Sequence, residues 1–186
     1  MEHLGAAYIF IHFEQAMALG HVGWGLLVEE NRYFFGSTDH LWNRKYAMWD
    51  PAELIRYMDV PPGQNNDHWS AFGTEEEMLN MMRSGPHVRY QSYKRLPVLT
   101  PDPAAACRFA ETMNDIGWNV VRNNCVHQSN AILTKYGGMF LPNTNTPLGR
   151  IPRKWFAAIE AEENILEPRV RNILPVMLHT HRQNEK

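Results

Sequence analysis

The sequence predicts an α+β fold: a small antiparallel sheet packed against a helix that carries a cysteine at its first position, followed by a helical C-terminal extension. Three observations lead there. Residues 7–13, 21–28 and 32–36 are apolar runs rich in β-branched and aromatic side chains, which read as strands. Asn123 to Gly138 reads as one helix with its start and stop written in. Two further helices announce themselves by their starts, at Thr74 and at Thr100-Pro101-Asp102.

Taken in order, Ala7 to Phe13 is a buried strand, and Glu14 to Gly20 is the connection that delivers His21. His21 opens a second strand, which runs through Glu29-Glu30-Asn31 into a third, Arg32 to Gly36. Gly36 to His40 is loop-like, and Trp42 to Met48 carries no clear signal. Asp50-Pro51-Ala52-Glu53 opens a short helix, with an acidic cap and proline at the first position. Pro61 to Asp67 is rich in breakers and reads as an exposed loop. The capping box Thr74-Glu75-Glu76-Glu77 starts a helix through Met82. Val88, Tyr90 and Ser92 alternate with Arg89, Gln91 and Tyr93, the pattern of a strand. The helix from Thr100 has an apolar stripe of Ala106, Phe109, Ala110 and Met113, and ends at Gly117.

The Asn123 to Gly138 helix carries the chemistry. Asn123 or Asn124 is a good N-cap, because its side-chain oxygen can accept from a free N–H of the first turn. Gly137 is the expected left-handed closing residue. Val126, Ser129, Leu133 and Tyr136 share one face, with Ile132 beside them. Cys125 then falls where unpaired N–H groups and the positive end of the helix dipole favour a thiolate. Such a nucleophile needs a base from elsewhere in the chain. His21, in Gly20-His21-Val22-Gly23-Trp24-Gly25, is the candidate.

A Gly-His-x-Gly strand, a following Tyr-Phe-Phe-Gly strand and, about a hundred residues later, an Asn-Cys-x-His helix resemble the circularly permuted papain-like enzymes. That group includes the PPPDE (desumoylating isopeptidase-like) peptidases, the permuted NlpC-type amidases and the lecithin:retinol acyltransferase-like enzymes. The resemblance spans Tyr8 to Tyr136 and rests on those short motifs. It implies Cys125 as nucleophile and His21 as base, in the permuted order with the histidine first. It leaves the orienting third residue open among Asn31, Tyr33, Ser37 and Asp39, and PPPDE enzymes resemble a dyad that needs none. The long spacing from His21 to Cys125 implies an insertion at about 39–86. On this reading 1–138 is the catalytic domain and 139–186 an extension packed on it, with a helix over Pro152 to Leu166, breaks at Pro168 and Pro175, and a mobile tail from Arg182.

Each residue also has a plainer reading. A lone cysteine at a helix start is usually structural, and the case for His21 depends on Cys125. Gly23 and Gly25 permit close strand packing, or leave room for a substrate beside Trp24. His127, two positions from Cys125, points to a different side of the helix and is a neighbour or cleft residue rather than the base. The Cys125 N–H is the expected oxyanion donor, helped by a side chain such as Gln128 or Asn124. A zinc site from Cys125, His127 and His21 lacks the usual ligand spacing, so no metal or cofactor is expected. No Gly-x-Ser-x-Gly elbow supports a serine nucleophile.

Composition bounds the rest. At 186 residues, 44% hydrophobic and 11% aromatic, the chain can bury a proper core. A formal charge of −2 with no basic run argues against nucleic acid or anionic membrane as partner. Cys107 and Cys125 are too few for a disulfide framework. With no signal-peptide pattern and no membrane-spanning run, cytoplasm is the expected compartment, although a delivered effector would read the same. The expected activity is a cysteine hydrolase acting on a peptide, protein or acyl-amide substrate. An acyltransferase, or a binding or inhibitory protein on a papain-like fold, is the alternative.

Overall fold

Strand β1 (Gly5–His12) is an unbroken apolar run, and its first seven residues are all buried. Strands send alternate side chains to opposite faces, so such a run needs cover on both sides. The computed structural model, which describes residues 4–40, 58–84, 90–137 and 140–166, supplies it. On one face Ala7, Ile9 and Ile11 join Val22, Trp24 and Leu26 of β2 (His21–Glu29) in a core cluster. That face is covered by α3 (Pro103–Glu111), α4 (Cys125–Tyr136) and α5 (Pro152–Ala157). On the other, Ala6, Tyr8 and Phe10 pack with Tyr33 and Phe35 of β3 (Arg32–Thr38) and with Met78 and Met82 of α2 (Glu75–Ser84). The one-turn α1 (Gln15–Ala18) connects β1 to β2.

The architecture is thus α+β around a six-stranded antiparallel sheet. Its order is β5-β3-β2-β1-β6-β8, with β5 (His68–Gly73), β6 (Ser92–Val98) and β8 (Glu163–Ile165). Two short strands, β4 (Asp59–Val60) and β7 (Trp118–Asn119), pair separately. Glu30 and Asn31 make the β2–β3 turn, with Asn31 at φ 52°. A register shift between Leu27 and Glu29 follows, after which Trp24 pairs with Gly36.

Several expectations are corrected. Within 39–86, β5 is the edge strand of the main sheet and α2 packs on it, while 41–57 and 85–86 lie outside the described residues. The expected strand over Val88 to Tyr93 begins only at Ser92, where pairing with Ile11 starts; Val88 and Arg89 lie outside the described residues. The expected helix over Pro152 to Leu166 is a helix to Ala157 and then a strand that pairs with β6. Pro61 to Asn65 is the exposed loop expected, but Asn66 is fully buried and donates from Nδ2 to the Met113 and Gly117 carbonyls. Helix α3 ends at Glu111, and Gly117, at φ 69°, turns the chain several residues later. Gly137 is extended, at φ 174°, and is needed for closeness instead: a Cβ there would lie 2.4 Å from Val98 Cγ1. The helix expected from Asp50, the stretch Trp42 to Met48, Pro168, Pro175 and the tail from Arg182 lie outside the described residues.

No helix among the described residues is long and apolar enough to cross a membrane.

Candidate active site

Helix α4 begins at Cys125 because Asn124 stops the chain from being helical any earlier. Its backbone is extended, at φ −85° and ψ −174°, and its Oδ1 accepts from the N–H of Val126 (3.0 Å) and of His127 (3.4 Å). His127 Nδ1 returns the contact by accepting from the Asn124 N–H at 3.4 Å, a reciprocal capping box. The Asn124 Nδ2 ties the cap down by donating to the carbonyls of Val120 (3.0 Å) and Arg150 (2.9 Å). The N–H of Cys125, the first residue of the helix, makes no hydrogen bond among the described residues. Cys125 is 6% exposed and lines a cavity.

His21 is the first residue of β2, and Cys125 is near enough to its imidazole to act on the charge there. Its Nε2 is taken up on the other side. The N–H there is shared between Ser37 Oγ at 2.8 Å and Asp39 Oδ1 at 3.0 Å. That leaves Nδ1 as the nitrogen for Cys125. Ser37 donates to Asp39 Oδ1 at 2.7 Å and accepts from the Tyr90 hydroxyl at 2.9 Å. Trp69 Nε1 donates to Asp39 Oδ2 at 2.7 Å. The buried Asp39 carboxylate thus accepts from three donors, which is what a buried charge requires. Tyr90 also stacks on the imidazole, with ring centroids 5.9 Å apart. Burial by itself would lower the His21 pKa. The neighbouring Cys125 sulfur and Asp39 carboxylate outweigh it and push the value up to about 10. A charged imidazolium beside the sulfur is the state this arrangement favours.

A second chain of hydrogen bonds holds the helix to the sheet. His68 Nδ1 donates to Thr38 Oγ1 (2.9 Å), and Thr38 donates to Gln128 Oε1 (2.5 Å). Gln128 Nε2 then donates to the Gly117 carbonyl at 2.9 Å. Burial holds the His68 pKa down at about 4, so this imidazole is neutral.

The cavity at Cys125 has a volume of 310 Å³ and is walled by segments 15–21, 118–125 and 147–152 together with Thr38. Two larger depressions, of 670 and 840 Å³, lie away from the cysteine.

Of the sequence candidates, the structure brings together Cys125, His21, Ser37 and Asp39, with Asn124 beside them. Others lie elsewhere. Asn31 is in the β2–β3 turn and borders the 670 Å³ depression. Tyr33 donates to Glu75 Oε2 at 3.4 Å, in a cluster with Tyr8 on the α2 face. Gln128 is spent on Thr38 and Gly117 and does not line the cavity, so the oxyanion role expected of it is corrected. His127 is the capping partner of Asn124, with its pKa lowered by burial and by the Arg150 guanidinium. Gly23 and Trp24 do not border the cavity. Gly23 makes room for Tyr90, whose hydroxyl would be 2.6 Å from an added Cβ, and Trp24 packs on Phe34 and His68.

Gln15 is a residue the sequence did not mark. It is 7% exposed and lines the cavity, and among the described residues its Oε1 is buried with no hydrogen-bond partner. Its turn is strained, with Ala16 at φ 51° and Ala18 at φ 65°. Arg153 clamps that turn through its N–H to the Leu19 carbonyl at 3.0 Å and Nη1 to the Ala18 carbonyl at 3.2 Å. Nothing in the sequence signals two alanines at positive φ. Among the described residues no group of His, Cys, Asp and Glu side chains is placed to hold a metal ion.

No family model, curated protein or solved structure matches the chain.

Proposed function

We propose that this protein is a cysteine-dependent hydrolase of amide, isopeptide or ester bonds, on a circularly permuted papain-like fold. The observation that carries the proposal is the line Cys125–His21–Asp39, whose first two members border a cavity. A helix start supplies the thiol, and a strand end supplies an imidazole already anchored on its far side.

His21 Nδ1 takes the thiol proton, and the resulting imidazolium is held by Asp39 and Ser37. The thiolate attacks the substrate carbonyl carbon, and the carbonyl π electrons move onto oxygen. The free Cys125 N–H at the positive end of α4 donates to that oxyanion, and the Gln15 carboxamide takes the role that sequence alone assigns to Gln128. Collapse of the tetrahedral species returns the electrons to the carbonyl and expels the amine or alcohol, which leaves with the proton from His21. Water, deprotonated by His21, then attacks the thioester and releases the acid and the thiol. An acceptor amine or hydroxyl in place of that water would make the same site an acyltransferase.

The test is a burst experiment with p-nitrophenyl acetate. The proposal expects a rapid release of one p-nitrophenolate per chain and an acetyl group mapped to Cys125 by mass spectrometry. Both are expected to vanish in Cys125→Ser and to persist in Cys107→Ser. Acetylation spread over lysines, with Cys125 unmodified, would contradict it.

A further inference from the structure

The cavity wall carries one charged residue besides His21, and among the described residues no carboxylate meets it. Arg150 lines the cavity with Cys125, and its position is fixed by its own backbone, whose carbonyl accepts from Asn124 Nδ2 at 2.9 Å. The guanidinium is nearly idle. Nη2 donates to the Asn145 carbonyl at 3.2 Å, and Nε is buried without a hydrogen-bond partner. No carboxylate forms an ion pair with Arg150 among the described residues.

Its surroundings make that idleness costly. Leu19, Trp118, Val121, Ile151 and Pro152 give the cavity an apolar lining, in which a charge interacts more strongly than in water and an unmet donor is penalised. The N-terminus of α4, one residue from the cap that Arg150 holds, adds positive potential of the same sign. A guanidinium presents a planar fork that fits a carboxylate bidentately. A volume of 310 Å³ lies at the small end of ligand cavities, which admits one compact apolar group rather than a long chain.

We propose that Arg150 is a specificity-determining residue that pairs with a carboxylate carried by a compact apolar group of the substrate, as at the terminal residue of a peptide. A singly charged carboxylate matches the single guanidinium; a phosphate dianion would enter this apolar wall with half its charge unmet. The inference rests on the cysteine-hydrolase reading for the word substrate, but the occupancy of the cavity can be measured without it.

The experiment follows protection of Cys125 from iodoacetamide, in Cys107→Ser protein, by 4-methylpentanoate and by the uncharged 4-methylpentanamide. The two share an apolar body and differ in charge. The carboxylate is expected to protect at a concentration about tenfold lower than the amide, and inorganic phosphate is expected not to protect. That difference is expected to disappear in Arg150→Gln and to survive in part in Arg150→Lys, which keeps the charge without the fork. Equal protection by acid and amide, protection by neither, or a carboxylate preference that survives in Arg150→Gln would overturn the assignment. The last outcome would hand anion binding to the His21 imidazolium. A failed burst with p-nitrophenyl acetate would strike the hydrolase reading alone, because protection reports only what fills the cavity.

Discussion

Asp39 stands across the β2–β3 ladder from His21, with Oδ1 3.0 Å from Nε2. The pairing of Trp24 with Gly36, carried outward by three residues, sets Asp39 there. Ser37, two residues earlier, then points the same way, and the imidazole is gripped from the last side chains of β3 and from the residue just past its end.

Replacing Asp39 by Asn removes the negative charge while keeping the size. The His21 pKa is expected to fall, because one of the two groups that hold it up is gone. The second-order rate of Cys125 alkylation near neutral pH should drop by about tenfold or more. A stopped-flow alkylation series over pH checks this.

The register behind that contact marks the limit of what sequence could show. Glu29 pairs with Arg32 across the turn, and a regular ladder continued from that pair would set His40, not Asp39, opposite His21. The irregularity between Leu27 and Glu29 moves the strand by one residue. Nothing in Leu26-Leu27-Val28-Glu29 announces a bulge, so Ser37 and Asp39 could be named only beside Asn31 and Tyr33. Cys125 and His21 were easier to find, since a helix cap and a strand opening are local signals, written within a few residues. The α+β class was legible for the same reason. The second half of the wall was not. Gln15 owes its place to two alanines at positive φ that Arg153 holds from far along the chain. Glu163–Ile165 is a strand because β6 has a free edge there, a fact of tertiary pairing rather than propensity.

Stability should peak near the ordinary histidine pKa of 6.5 and fall on both sides. The folded-state pKa of His68 is lowered to about 4, so the unfolded chain binds that proton more readily. Its contribution is present above pH 6.5 and is lost as pH falls toward 4, a change on the order of 3 kcal/mol. The His21 pKa is raised to about 10, which gives the opposite sign: its contribution is present below 6.5 and is lost as pH rises through about 10. Thermal melts across pH check both limbs, and His68→Gln should flatten the acid one.

Gly23→Ala would place a methyl group 2.6 Å from the Tyr90 hydroxyl and 3.1 Å from the Gly36 carbonyl oxygen. Tyr90 must move, and its bond to Ser37 goes with it. A loss of about 1–3 kcal/mol in urea unfolding is expected, the usual range for overpacking a core.

Asn124→Ala should cost about 0.5–2 kcal/mol as a lost N-cap. It also frees the anchors to the Val120 and Arg150 carbonyls, so Cys125 loses its fixed position. Alkylation of Cys125 should slow more than unfolding free energy alone predicts, while Asn124→Ser, which keeps a capping oxygen, should recover the stability first.

The central claim is that His21 and Cys125 form an ion pair. Its most direct test is the rate of Cys125 alkylation by iodoacetamide against pH, in Cys107→Ser protein with and without His21→Ala. Fast alkylation near neutral pH, slowed by about tenfold or more when His21 is removed, is the predicted result. A rate that ignores His21 across the pH range would contradict the pair, and would make Cys125 a structural residue at the head of a well-capped helix.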